Sequence, residues 1–204
     1  MLVNDYEKKL GIHTIGEQKG FLKSIHYHRY EPTPYEAIEE LLRHYEIKSG
    51  DGVVDFGCGK GRLNFLLHYL CDATVSGIEM NELLYNEALN NVKRYKASTK
   101  RNVGNIHFHC CLAEEYMIDP RDTIFYFFNP FTIQIFIKVI NLIMQSAYEA
   151  ERTVDTVLYY PSTDYIFYLE NETGFELVKE VSVQSIFSDN ENERFLIYRL
   201  EVSS

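Results

Sequence analysis

The stretch VVDFGCGKGRLNF, residues 53 to 65, carries the densest chemistry in the chain. An apolar run ends at Asp55 and Phe56, and glycines then recur at Gly57, Gly59 and Gly61, with Cys58 and Lys60 between them. Glycine lets the backbone turn at positive φ and come close to a ligand. A helix opening just after such a bend presents unpaired amides that attract a carboxylate or a phosphate. A nucleotide-like ligand is the expectation. The dinucleotide fingerprint G-x-G-x-x-G needs a glycine at position 62, where this chain has Arg62. The spacing is instead D-x-G-x-G-x-G.

Three further apolar runs end in groups suited to such a ligand. "GIEM" ends in Glu79, a carboxylate that can accept both hydroxyls of a ribose, and Met80 beside it can pack on an adenine face. An acid about twenty residues past the glycines is where a doubly wound sheet binds ribose. "CLAEEY" follows a third run, where an adenine edge can meet backbone. "FFNPF" follows a fourth and places Asn129 at its end.

These groups need a scaffold that brings strand ends together. "GVVDFG", "ATVSGIEM", "NIHFHCC", "DTIFYFFNPF" and "TVDTVLYYP" read as strands. "YEAIEELLRHYEI", "RLNFLLHYLC", "NELLYNEALNNVKRYKAS" and "TIQIFIKVINLIMQSAYEA" read as the helices around them, with Thr33 capping the first and Asn81 the third. Strict alternation predicts parallel strands with helices on both faces. "STDYIFYLENETG" reads as a short helix or loop. "FELVKEVSV" and "ENERFLIYRLEV", joined by "SDNEN", predict a closing antiparallel pair. The expected fold is an α/β, Rossmann-like, seven-stranded sheet over residues 34–204. Residues 1–33 form an N-terminal arm or lid, rich in Tyr27, Tyr30, His26 and His28.

Composition narrows the function. The net charge of −10 argues against bulk nucleic acid held through a broad phosphate footprint, and Lys93, Arg94, Lys96, Lys100 and Arg101 read as a solvated helix end. The four cysteines lack zinc spacing, and no metal site is expected. A reduced, cytoplasmic chain is the simplest reading, since there is no signal core and no apolar run long enough for a membrane span. The apolar 133–144 helix leaves a homodimer open.

Taken together, the motifs resemble the class I S-adenosylmethionine-dependent methyltransferases over about residues 30 to 202. "GCGKGR" with "FFNPF" is similar to a bacterial group of that superfamily whose substrate is unassigned. The resemblance implies that S-adenosyl-L-methionine is the cofactor and S-adenosyl-L-homocysteine the product. Asp55, Phe56, Gly57, Cys58, Gly59 and Gly61 would line the amino-acid end. Glu79 and Met80 would take the ribose and adenine, and Ala113 would offer its amide to the adenine. Tyr30, with Tyr27 and Tyr35, would cover the cofactor, and His26 or His28 would be available as a base. Many relatives carry an Asp where this chain has Leu112, and Glu114 and Glu115 are the nearby acids that could substitute. Asn129 would meet the cofactor and position a nucleophile, and Phe131 would stack on a planar acceptor. Asn129-Pro130-Phe131-Thr132 departs from the N-P-P-Y of amino-group methyltransferases. The implied acceptor is a nitrogen on a small molecule or protein. A non-catalytic cofactor-binding module stands as the alternative, and a nicotinamide-dependent oxidoreductase as a weaker one.

Overall fold

The computed structural model describes residues 3–16, 26–183 and 190–202. Seven strands form one sheet: β1 (Gly52–Phe56), β2 (Thr74–Ile78), β3 (Ile106–His109), β4 (Asp122–Phe127), β5 (Val154–Tyr159), β6 (Glu176–Ser182) and β7 (Arg194–Leu200). Their order is β3-β2-β1-β4-β5-β7-β6. β1 pairs in parallel with both β2 and β4, and only β7 runs against its neighbours β5 and β6. The chain builds outward from β1 to β3, then returns to β4 on the other side of β1. That reversal opens a crevice at the carboxyl ends of β1 and β4, the place where open α/β sheets bind ligands. The closing antiparallel pair is as the sequence predicts, although Ser188 and Asp189 of its connecting turn lie outside the described residues.

Both faces of the sheet are covered. The helices are α1 (Val3–Leu10), α2 (Tyr35–His44), α3 (Arg62–Cys71), α4 (Glu82–Thr99), α5 (Ile133–Glu149) and α6 (Thr163–Glu172). One core joins residues of α1, α2 and α3 to Val53, Val75 and Ile124. The other joins α5 and α6 to Val54, Phe56, Phe125 and Phe127. Neighbouring residues of one strand thus serve opposite cores, as the two-residue strand repeat requires. β4 is buried along nearly its whole length because it has a helix layer on each side. α5 turns Ile135, Phe136, Val139, Ile140 and Ile143 onto the sheet, which accounts for most of its apolar surface.

Two helix starts matter for the site. Asn81 caps α4, its side chain accepting from the Leu83 and Leu84 amides. Thr33 does not cap α2 as expected. The cap position belongs to Pro34, and the Thr33 hydroxyl is spent on the Tyr126 hydroxyl at 2.7 Å. Buried against β4, it has a tertiary partner that outcompetes the local one.

Part of the expected N-terminal arm is a helix. α1 lies against α4, and Tyr6 stacks on Tyr35 with ring centroids 4.9 Å apart. Tyr35 is therefore a core residue with no exposed surface. Among the described residues, no helix is long and apolar enough to cross a membrane.

Candidate active site

β1 ends at Phe56, and the chain then bends through three left-handed glycines, Gly57 (φ 81°), Gly59 (φ 55°) and Gly61 (φ 85°). Only glycine takes such angles without steric cost. Close approach adds a second demand. A Cβ on Gly57 would lie 2.6 Å from the Cβ of Pro130, so the β1 and β4 loops touch there. A Cβ on Gly59 would lie 2.0 Å from the Tyr30 ring. The bend is thus packed against the chain's own loop and arm. Phe56 itself faces the core, its ring stacked on Phe127 at 5.1 Å, so it can offer a ligand only its backbone.

Glu79 follows β2 and is buried. Its Oε2 accepts the Gly59 amide at 2.9 Å, and its Oε1 accepts the Asn81 amide at 2.7 Å. A carboxylate has about four acceptor positions, so backbone amides do not exhaust its capacity to accept from a hydroxyl. Burial raises its pKa, and the backbone hydrogen bonds from Asn81, Gly59 and Met80 oppose that rise. Asp55 is also buried, and its carboxyl is pushed up to about 8, first by burial and then by the Glu79 charge. The Cys58 thiol beside them is pushed up by burial and by both carboxylates, which rules against a reactive thiolate.

Arg62 opens α3. It lines a small cavity with Asp55, Gly57 and Cys58, but its guanidinium is committed to the N-terminal segment. Its Nε donates to the Thr14 hydroxyl at 2.7 Å, its Nη1 donates to the Thr33 carbonyl at 3.2 Å, and its Nη2 lies 3.8 Å from Glu7. Glu7 also accepts from the Thr14 amide, the Thr14 hydroxyl and the Tyr35 hydroxyl. This buried network ties α1 to the start of α3. Lys60 is likewise occupied, by Glu87 at 3.0 Å and the Ile15 carbonyl at 3.2 Å.

Residues 26 to 30 cross the carboxyl edge of the sheet. Tyr27 pairs with Phe131 as an antiparallel bridge, flanked by His28 N to Pro130 O at 2.9 Å and Thr132 N to His26 O at 2.8 Å. The Tyr30 ring covers Gly59, and its hydroxyl donates to the Thr14 carbonyl at 2.7 Å. Asn129 sits at the mouth with a left-handed backbone (φ 43°), and its carbonyl oxygen lies 2.6 Å from His28 Nδ1. Phe131 does not reach the mouth. Its ring is fully buried, edge-on to Tyr27 at 5.6 Å, so it has no face open to an acceptor.

These groups fit a nucleoside with an amino-acid tail: a glycine cradle, a buried acid at each of two adjacent strand ends, and the Ala113 amide at a third. A family model described as a methyltransferase domain matches residues 33–120, the segment that contains all of them except the arm and Asn129. The fold is also found in solved structures. YjhP of E. coli aligns with a TM-score of 0.59 at 14% identity, over 85% of this chain and 94% of that one. The chain carries a methyltransferase domain on the fold of S-adenosylmethionine-dependent methyltransferases.

Human methyltransferase 10 domain containing protein aligns with this methyltransferase at a TM-score of 0.62 and 12% identity, over 98% of this chain and 94% of that one. An RNA methyltransferase from Salinibacter ruber, solved in complex with S-adenosyl-L-homocysteine, aligns at a TM-score of 0.56 and 16% identity, over 85% and 95% of the two chains. No curated protein sequence matches the chain.

The sequence brings Asp55, the glycines, Cys58, Glu79, Met80 and Asn129 to one edge of the methyltransferase sheet, as the strand order requires. It did not single out Glu7 or Thr14. Both act through tertiary partners far along the chain, and an acid in a charged helix such as "NDYEKKL" carries no local sign of burial. Asp155 shows that a buried acid need not be functional. Its carboxylate is clamped by Arg199 at 2.8 and 2.9 Å and by the Tyr45 hydroxyl at 2.6 Å.

Proposed function

We propose that this methyltransferase moves a methyl group from S-adenosyl-L-methionine to a nitrogen on a small molecule or a protein side chain. When bound, the cofactor supplies a methyl group already activated by its sulfonium charge. The protein's tasks are then alignment and exclusion of water. Asp55 and the Gly57–Gly61 bend would hold the methionine tail. Glu79 would accept from the ribose with the capacity its backbone amide bonds leave. Met80 and Ala113 would border the adenine, Ala113 through its amide. Tyr30 closes the arm over the bend.

Asn129 is the positioning group for the acceptor. Its side-chain carbonyl accepts a hydrogen bond from the incoming amine and directs the lone pair toward the methyl carbon. The observation that carries this reading is the packing of Pro130 on Gly57. It fixes the β4 loop, and with it Asn129, directly against the cofactor bend. Phe131 supports that loop from beneath. His28, whose Nδ1 donates to the Asn129 backbone carbonyl, keeps Nε2 for a proton released by the acceptor.

The net charge of −10 favours a small or protein acceptor over a long RNA, which would require a basic footprint. The nicotinamide reading is disfavoured by Arg62, which fills the third fingerprint position and whose guanidinium is committed to Thr14, Thr33 and Glu7. A screen of amines, peptides and short RNAs with methyl-labelled cofactor tests the proposal. Label transferred to an amine or peptide supports it. Label transferred to RNA alone overturns the acceptor class, and no transfer to any acceptor by a chain that binds the cofactor favours the non-catalytic module.

A further inference from the structure

The small cavity at the glycine bend has a second end. Asp55 and Gly57 line it on one side, Tyr126 and Phe128 of the β4 segment form a wall, and Glu31 of the arm closes it on the other. Asp55 is 5% exposed and Glu31 is exposed, so the cavity runs from the buried bend to the surface. Among the described residues no donor reaches the Asp55 carboxyl, and burial and the Glu79 charge are what act on it. An acid this deep without a donor marks the cavity as a place for a ligand. Beside Phe128 stands Tyr159, the last residue of β5, with the two rings edge to face at 4.7 Å. The Tyr159 hydroxyl donates to Glu193 Oε2. Burial, that hydrogen bond and the charges of Glu193 and Glu31 hold the hydroxyl far above its usual pKa range. Two acids distant in sequence thus act on one aromatic pair, and neither has a cation. Among the described residues Glu31 forms no ion pair, Glu193 accepts only the Tyr159 hydroxyl, and Arg194 next to it is turned to Glu180 at 3.2 Å. Aromatic walls with unneutralised carboxylates beside them suit an organic cation.

We propose that Glu31 and Glu193 hold a second cationic group of the methyl acceptor, so that the acceptor is a small aliphatic diamine rather than a monoamine. The inference rests on the proposed transfer to nitrogen and names its substrate class. An amine attacks the sulfonium methyl only through a free lone pair, so acids that stabilise an ammonium do not belong at the reacting nitrogen. They belong at the far one. The reacting nitrogen lies at Asn129, the residue after Phe128, and the alkyl chain between the two nitrogens runs along Phe128 and Tyr159. Cofactor and acceptor then share one cavity, the methionine tail at its Asp55 end and the distant ammonium at its Glu31 end. The chain's net charge of −10 draws such a dication toward the mouth.

The test measures methyl transfer by the full chain from labelled S-adenosylmethionine to diaminobutane and diaminopentane, and to the amino alcohols of the same lengths. Wild type, Glu31→Gln and Glu193→Gln are compared. Gln at 193 keeps a carbonyl for the Tyr159 hydroxyl, and thermal melts confirm that each variant folds. The wild type is expected to show a KM about tenfold lower for a diamine than for its amino alcohol. Each variant should shrink that preference about fivefold, through KM rather than kcat. Equal KM values for diamine and amino alcohol, or a preference that both variants retain, overturn the inference and leave transfer to nitrogen standing. Label on peptides but on neither kind of probe does the same. No label on any amine or peptide, by a chain that binds the cofactor, defeats the proposed function and the inference with it.

Discussion

The Gly59 amide donates to Oε2 of Glu79 across 2.9 Å, joining residues twenty positions apart in sequence. The acid at the end of β2 thereby holds the bend at the end of β1, and the same carboxylate takes the Asn81 amide that leads into α4. In the proposed function, ligand binding and loop geometry share one side chain. Glu79→Ala should therefore weaken S-adenosylhomocysteine binding by at least tenfold and also destabilise the fold by about 1–3 kcal/mol, the cost of two amides left without their acceptor. Calorimetric titration and urea unfolding read the two effects separately. Unaltered affinity would remove Glu79 from the cofactor site.

The Asp55 carboxyl gives a pH signature. Its pKa is raised from 3.8 to about 8, so the folded state binds a proton more tightly than the unfolded chain does. The associated stability is fully present below the unfolded value and is lost as pH rises toward 8. Glu79, also raised by burial, adds to the same trend; both acids act on Cys58, and Asp55 also acts on Tyr126. The melting temperature should fall between pH 5 and pH 8, and Asp55→Asn should flatten that slope. An equally steep slope in Asp55→Asn would assign the titration elsewhere.

Gly59 has no room for a side chain. Its φ of 55° and the Tyr30 ring 2.0 Å from any Cβ both oppose substitution. Gly59→Ala should cost about 1–2 kcal/mol from the left-handed backbone alone. Adding Tyr30→Ala should recover the part due to the clash. Urea unfolding of the single and double variants measures both. A double variant no more stable than Gly59→Ala would show that Tyr30 does not constrain the bend.

The Arg62–Glu7 pair is buried at both ends, with 7% and 9% of the side chains exposed. Removing one partner of such a pair leaves an uncompensated charge. Arg62→Met should destabilise by about 3 kcal/mol and free α1 from its dock. Limited proteolysis should then cut within residues 3–16 faster than in the wild type. Unchanged protection would show that packing of Tyr6 on Tyr35 suffices to hold the helix.

Asn129→Ala should leave cofactor affinity within about twofold and lower methyl transfer to the true acceptor by about a hundredfold, the order expected when a group that orients the nucleophile is lost. A single-turnover assay with labelled cofactor separates the two quantities. Full turnover in this variant would exclude Asn129 from acceptor positioning.

The sheet was legible because its parallel strands are short apolar runs, and the runs of β1, β2 and β4 lead into Gly57, Glu79 and Asn129, the groups of the proposed site. The place of Glu79 at the end of β2 was legible from the apolar run before it, and the Asn81 cap from its place before a helix. Other roles depend on long-range contacts that local pattern does not carry. Thr33 looks like a helix cap until Tyr126 claims its hydroxyl. Tyr35 looks like a lid aromatic until α1 is seen to cover it. Phe131 follows Asn-Pro like an exposed substrate platform, yet Tyr27 crosses over it and seals it into the core. In each case an N-terminal segment or a neighbouring strand supplies the deciding partner.

The most direct test of the whole account is equilibrium dialysis of the full chain against labelled S-adenosylmethionine, with unlabelled S-adenosylhomocysteine as competitor. The account predicts saturable uptake of one equivalent per chain at micromolar concentrations, displaced by the competitor and sharply reduced in Glu79→Ala. No uptake, or uptake that neither saturates nor responds to the competitor, would contradict it.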